Sequence, residues 1–376
     1  MLKKKKIKVV TLFGTRPEII RLSSIIKKFD KYFDHTLINT NQNFDYELSD
    51  IFFKDLKLKK ADYNLNCANK NPGKTIGKII EKSEILLKKI NPDVFFVLGD
   101  TNSSLSSIAA KKLRIPIFHY EAGNRCNDQR VPEEINRKIV DHIADINLTY
   151  SQISKSNLLN EGIPERQVIA IGSPLYEVIN KNISSINNSK VKEKLKIKKQ
   201  QYYLFSIHRE ETVESKDSLK TIFSIIETIS KNKSFKVVIS AHPRLKKKMD
   251  NYKFDKNNLI INKPFSFTEY CNLQKNSRVV VSDSGTINEE SSILRFKAIN
   301  LRNTHERHEA NEETPTLMSS VNIKNFFYCL DYLETSKFLA PIVREYNVSD
   351  VSEKIARIIY SYRQYVKNYI YYENNF

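Results

Sequence analysis

The residues best suited to chemistry fall in a few short runs, each directly after an apolar stretch. The densest is 119–137, HYEAGNRCNDQRVPEEINR, which gathers Glu121, Arg125, Arg130, Glu133, Glu134 and Arg137. Crowded carboxylates push one another's pKa values apart, which is how one becomes an acid and another a base. Glu133 and Glu134 also suit the first turn of a helix, where negative charge is favoured. Gly99-Asp100-Thr101 offers Asp100 either as a helix N-cap or as a carboxylate at the mouth of a cleft. In Gly14-Thr15-Arg16-Pro17-Glu18, Pro17 suits a first helical turn, and Gly14 and Thr15 would let backbone approach an anion that Arg16 could clamp. There is no GxGxxG after that first apolar run, so a dinucleotide cofactor is not supported.

The second half repeats the arrangement. His208-Arg209-Glu210-Glu211 follows one apolar run, His242-Pro243-Arg244 another, and Asp283-Ser284-Gly285-Thr286-Ile287-Asn288-Glu289-Glu290 a third. Ser284 and Gly285 at a helix start offer N–H groups to a phosphate. Glu290, one turn further on, could accept from both hydroxyls of a ribose. His242 reads equally well as a loop histidine satisfied by its neighbours, and Glu289 reads as a solvated helix residue. Arg302 opens a polar run through Glu309 that reads as a surface loop, or, at this edge of a sheet, as the wall of a cleft.

These runs need a scaffold. Short β-branched segments alternate with segments of helical period, the pattern of parallel strands joined by crossover helices. Strands are predicted at 7–13, 34–40, 93–98, 115–119, 145–149 and 167–171, with helices at 17–29, 75–90, 101–113, 132–143 and 151–161. After a polar connection at 180–201, strands are predicted at 202–206, 235–240, 258–262, 278–282 and 297–301. The helices among them are placed near 216–231, 243–252, 267–275 and 286–294. This predicts an α/β chain of two Rossmann-like, doubly wound domains facing a central cleft, the first 1–173 and the second 174–354. The tyrosine-rich helix 355–376 would pack back on the first domain. Gly14, Gly99, Gly123 and Gly285 each follow a predicted strand, the edge at which open α/β sheets bind ligands.

Composition narrows the class. A chain of 376 residues, 40% of them apolar, suits two α/β cores. Nothing approaches the ~18 apolar residues of a membrane span, and IKVVTLF after the opening lysines reads as a buried strand rather than a signal peptide. Cys67, Cys126, Cys271 and Cys329 form no CxxC pair, which argues against zinc or a disulfide framework and fits a reducing cytosol. The net charge of +19 could suggest nucleic acid, but the lysines are scattered rather than set beside aromatic platforms.

The ordered motifs GTRPE, LGD, EAG, PEE-N-R, HRE, SDSG-I-EE and LR-T-ER span nearly the whole chain and resemble the non-hydrolysing UDP-N-acetylglucosamine 2-epimerase family. The resemblance implies a GT-B-like pair of domains, a cytoplasmic homodimer, and no cofactor or metal. It implies inversion at C2 of a UDP-linked 2-acetamido sugar by elimination and re-addition of UDP. By motif position Asp100, Glu121 and Glu133 look like the catalytic carboxylates, and His208 like a catalytic or diphosphate-contacting group. Arg16, Ser284, Gly285 and Glu290 look like UDP contacts, Tyr270 like a uracil-stacking residue, and Arg137, His242 and Arg302 complete the candidate substrate contacts. Two departures stand out. Thr40-Asn41-Gln42-Asn43 replaces the usual TxQH, which puts a second, allosteric substrate site in doubt. Thr286 replaces a usual glycine. The run EAGNRCNDQRVPEEINRKIVDH with GSPLYEV resembles a subgroup forming UDP-N-acetyl-L-fucosamine from a 6-deoxy-L-talose precursor for capsule or O-antigen. A glycosyltransferase of the same architecture is the nearest alternative, but it would not require carboxylates at 100, 121 and 133 together.

Overall fold

The computed structural model describes residues 5–42, 47–231, 234–252, 254, 258–310, 313–338 and 340–372. Asn43 of the variant TxQH segment and the end of the predicted terminal helix, 373–376, lie outside them. The chain divides into two compact units, 1–180 with 347–376, and 181–346. Both are parallel α/β structures.

The first unit holds strands β1 (Lys8–Phe13), β2 (Asp34–Asn39), β3 (Tyr63–Asn64), β4 (Val94–Leu98), β5 (Ile117–Ala122), β6 (Ile146–Thr149) and β7 (Val168–Ala170). They form one sheet in the order β3-β2-β1-β4-β5-β6-β7, with every pair parallel. The order reverses between β1 and β4, so the ends of those strands frame the crevice typical of doubly wound sheets. One face packs Val10, Leu12, Ile38, Phe95, Val97 and Ile117 with Ile79 and Leu87 of helix Pro72–Ile90. Elsewhere Phe29 of helix Arg16–Tyr32 meets Phe33, His35 and Phe96 edge-on.

The terminal helix Val351–Tyr365 belongs to this unit and lies along helix Arg16–Tyr32. Lys28 pairs with Glu353 at 2.8 Å, and the Phe33 and Tyr360 rings are 5.0 Å apart. Its N-cap residue, Asp350, makes no side-chain cap. The buried carboxylate of Glu177 does that work instead, accepting from the Ser352 N–H at 2.8 Å and from its hydroxyl. Glu177 sits on helix Leu175–Lys181, so that helix stays with the first unit. The structure accordingly shifts the first division from 173/174 to 180/181, and the second from 354/355 to 346/347.

The second unit holds β8 (Tyr202–Ser206), β9 (Lys236–Ser240), β10 (Leu259–Asn262), β11 (Val279–Ser282), β12 (Ala298–Asn300) and β13 (Thr316–Met318). Their order is β10-β9-β8-β11-β12-β13, again all parallel. The edge strands β3 and β13 are missing from the predicted set because their residues stay exposed or half-buried and form no buried apolar run. The segment 180–201 is more than a polar connection. It carries the short helices Ile183–Asn187 and Val191–Lys194, and Asn272 donates to the Ile186 carbonyl at 2.7 Å. Among the described residues no helix is long and apolar enough to cross a membrane.

Replacing Glu177 by Ala would leave the Ser352 N–H and hydroxyl without their buried acceptor. The expected loss is about 1–3 kcal/mol, read as a lower urea midpoint for the first unit.

Candidate active site

In the first unit the polar residues collect where β1, β4 and β5 end. Gly14, just beyond β1, is hemmed in: a Cβ there would stand 2.0 Å from Ser103 Oγ and 2.3 Å from Thr40 Oγ1. Those hydroxyls are bonded to each other at 2.7 Å, and Ser103 donates to Gln42 at 3.1 Å. Thr40 and Gln42 of the variant TxQH segment are thus tied to the ends of the sheet. The anion site expected at Gly14-Thr15 is already filled by a carboxyl group of the chain's own. The Glu18 carboxylate accepts from the Gly14 N–H at 3.1 Å, the Thr15 N–H at 2.7 Å and the Thr15 hydroxyl at 2.7 Å, with Thr101 donating to its other oxygen at 3.2 Å. This capping box consumes the N–H groups assigned to a phosphate, a correction the Thr-x-x-Glu spacing could have announced. Arg16, half-buried, opens the helix behind it.

Glu121 owes its position to a bulge. Tyr120 pairs with Leu148 and Ala122 with Thr149, so Glu121 is the extra residue of β5, with φ +72°. Bulges re-aim side chains at functional edges, and a left-handed glutamate is an unusual choice. Its carboxylate lies against Gly99, where a Cβ would be 3.2 Å from Oε2. Arg21 Nη1 reaches both carboxylate oxygens at 2.5 Å. Arg21 went unremarked in the sequence, although it interrupts the apolar face of its helix between Ile19 and Ile25. A buried arginine at such a position signals a buried anion.

Asp100, beside Gly99, is not an N-cap: Thr101 caps the 3-10 helix Asn102–Ser106. Instead Asp100 Oδ2 lies 2.6 Å from Arg137 Nη2, and Asn136 donates to its carbonyl at 3.0 Å. Arg137 also stands 3.1 Å from Glu134, which accepts from the Cys126 and Asn127 N–H groups at 3.1 and 3.2 Å. Glu134 therefore holds the loop that precedes helix Pro132–Ile143. Glu133 is half-buried on the same first turn. Arg130 is largely exposed and pairs with Asp128, so it does not join the cluster. Arg125 instead bonds Asp141 and Glu161.

The second unit's groups lie at the ends of β8 and β11. Asp283, fully buried, accepts from the His208 and Arg209 N–H groups at 3.1 and 3.0 Å and lies 3.2 Å from His208 Nδ1. Neighbouring Ser284 and Thr286 share a hydroxyl bond of 2.9 Å, and Thr286 donates to Glu290 at 2.7 Å. The threonine that stands for a usual glycine thus fixes the Glu290 carboxylate, whose other oxygen takes a 2.5 Å bond from Gln274. Gly285 faces the Arg302–Glu306 ion pair: a Cβ would come within 2.7 Å of Glu306 and 3.3 Å of Arg302. Tyr270 is hydrogen-bonded to Ser206, and burial raises its pKa, with Glu290 adding to the shift. His242 caps helix Pro243–Asp250, Nδ1 accepting from the Arg244 N–H at 3.4 Å.

Two expectations for this unit are overturned. Glu289 is not solvated but fully buried, 2.8 Å from an equally buried Arg307. The run 302–309 is not a surface loop: Arg302, His305, Arg307 and Glu309 are all buried, and Tyr346 donates to Glu309 at 2.9 Å. Sequence polarity misled because the charges neutralise one another inside.

The 2-epimerase family model described as UDP-N-acetylglucosamine 2-epimerase matches residues 27–360. The chain belongs to that family. A solved UDP-N-acetylglucosamine 2-epimerase from Rickettsia bellii is 39% identical, with 98% of this chain and 100% of that one covered, at a TM-score of 0.89. The enzyme of that name from Methanocaldococcus jannaschii is 35% identical over 88% of this chain and 93% of its own length. A structure of the M. jannaschii enzyme in complex with UDP-GlcNAc and UDP, 32% identical over 94% of this chain and 99% of that one, superposes at a TM-score of 0.87. This protein is therefore a UDP-sugar 2-epimerase, an isomerase, on two parallel α/β units.

Within the epimerase's first unit, burial raises the Glu18 pKa from 4.5 to about 7, against the hydrogen bonds from Thr15, Gly14 and Thr101. The folded state then holds the proton more tightly than the unfolded chain. That contribution to stability is full below about pH 4.5 and is lost as pH rises through about 7. Urea titrations from pH 5 to 8 should show this decline in the first unit, and Glu18→Gln should flatten it.

Proposed function

We propose that the sugar carries a 6-methyl group, the reaction being UDP-2-acetamido-2,6-dideoxy-L-talose to UDP-N-acetyl-L-fucosamine for capsule or O-antigen. The observation that carries the chemistry is the pair of arginine-held carboxylates, Asp100 with Arg137 and Glu121 with Arg21, at adjoining strand ends. The substrate's C2 hydrogen is not next to a carbonyl and is not acidic. A base must therefore take it as the C1–oxygen bond breaks, leaving a C1=C2 double bond and free UDP. UDP then re-adds at C1 while a proton returns to C2 from the opposite face. Each face needs an acid–base group, for which Asp100, Glu121 and Glu133 are the candidates. The developing charge on UDP needs donors.

For those donors we assign His208, fixed by Asp283, the Gly285 N–H, Arg302 and Arg16, with Glu290 taking the ribose hydroxyls. The Ser284 N–H expected to meet a phosphate is instead turned onto the Ser282 hydroxyl at 3.0 Å, as the Thr286 N–H is onto that of Ser284 at 3.3 Å. Tyr270 is the uracil contact, and Arg137 and His242 complete the substrate contacts. Assigning the 6-deoxy sugar follows the run EAGNRCNDQRVPEEINRKIVDH and GSPLYEV. A second reading, UDP-N-acetylglucosamine itself, is favoured by the relative solved with UDP-GlcNAc. We place the enzyme in the cytosol, where its four free cysteines would stay reduced. We expect a homodimer, to which the exposed Ile135 and Ile139, one turn apart on one helix, would contribute apolar surface.

Proton NMR in D2O with each UDP-sugar in turn is the test. Deuterium at C2 with a new epimer is expected, fastest from the 6-deoxy-L-talose substrate; faster turnover of UDP-N-acetylglucosamine would move the second reading forward. Asp100→Asn should lower turnover by at least ~10³-fold while UDP binds as tightly as before by calorimetry. Turnover at the wild-type rate would remove Asp100 from the catalytic set.

A further inference from the structure

The first unit buries a histidine that the reaction as outlined does not use. His119, on β5 opposite Val97 of β4, is wholly enclosed. Its Nε2 lies 2.9 Å from the Gly99 carbonyl. On the other side Nδ1 stands 2.9 Å from Asp141 Oδ1, an ion-pair contact outside hydrogen-bond geometry. Neither neighbour has a hydrogen to give, since Asp141 is itself an acceptor for the Gly123 N–H at 3.2 Å and Arg125 Nη1 at 2.7 Å. Arg125 passes on to Glu161 at 2.7 Å, and His142 closes the chain at 2.9 Å from Glu161. Glu161 lies at the surface, so what calls for a charged His119 ring is that both its nitrogens face oxygen acceptors, the Gly99 carbonyl and Asp141 Oδ1. Burial works against a charged ring here, but Asp141, the Gly99 carbonyl and Asp100 outweigh it and raise the His119 pKa. Taking such an ion out of water is unfavourable unless it is well held, and what it grips is informative.

Through Gly99 it holds the turn that presents Asp100. Through Asp141 it reaches the Glu121-Ala122-Gly123 turn, in which both Glu121 and Gly123 have left-handed backbone, φ +72° and +78°. We propose that His119, as an imidazolium, is a positioning residue for epimerisation, clasping the Asp100 turn and, through Asp141, the Glu121 turn so that the two carboxylates keep their spacing. The proposal rests on the reading that Asp100 and Glu121 act on the sugar.

Histidine-selective 15N NMR of the whole protein tests the charge independently of any substrate. Both ring nitrogens of His119, assigned by loss of its signals in His119→Gln, should carry hydrogen at pH 7; a neutral ring there overturns the proposal. His119→Gln keeps an N–H donor for Gly99 but not the cation. It should lower kcat by ~10- to 100-fold, with KM and the UDP dissociation constant within about twofold of wild type. Asp141→Asn should lower kcat similarly, and the double variant should cost little more than either single change. A fall in melting temperature with unchanged kcat would show a merely structural role and overturn it. Asp100→Asn, assayed in parallel, separates the two failures: an active Asp100→Asn enzyme sinks the catalytic reading, whereas an inactive one beside a fully active His119→Gln sinks only the clasp.

Discussion

Much of the first unit follows from one constraint: a carboxylate placed at the buried end of a parallel strand must be given a cation. Glu121 stands on a bulge with left-handed backbone, and Arg21 reaches both its oxygens from the neighbouring helix. Removing either partner would strand a charge in the interior, a cost of several kcal/mol. The same necessity explains why Arg137 joins Asp100 to Glu134, whereas Glu18, held by the N–H and hydroxyl groups of its own helix start, answers burial with a pKa raised to about 7. A site able to move protons beside a sheet core is thus built from pairs, and the helices that supply the cations are fixed in rotation by them.

The two units share a sheet order but handle charge differently. At the switch point of the first, carboxylate and guanidinium meet directly. Between β8 and β11 of the second, short hydroxyl and amide bonds prevail: Ser284 to Thr286, Thr286 to Glu290, Gln274 to Glu290, with Asp283 gathering the His208 and Arg209 backbone. These bonds hold the Glu290 carboxylate and the turn at Gly285 in place. Two buried ionic pairs of this unit, Glu289 with Arg307 and Arg302 with Glu306, anchor the segment that follows β12. Both arrangements accord with a family whose members act on UDP-sugars.

Period and composition determined the parallel α/β class and eleven of the thirteen strands described, because buried parallel strands are apolar runs that a local pattern reveals. Helix Pro132–Ile143 is placed to the residue, since Pro132 and the acidic first turn mark its start. Motif order also brought Asp100, Glu121, His208, Ser284 and Glu290 forward as candidates. What local pattern could not determine were contacts between residues distant in the chain. Arg21 finds Glu121 a hundred residues on, His119 finds Asp141, and Glu177 caps the terminal helix through Ser352, 175 residues later. Glu289 and Arg307 looked solvated because each is charged, yet the fold cancels one with the other and buries both. Residue type states what a group could do. Only the tertiary structure decided which opposite charge stands beside it, since the free energy of a buried ion is set by partners whose proximity sequence spacing does not encode.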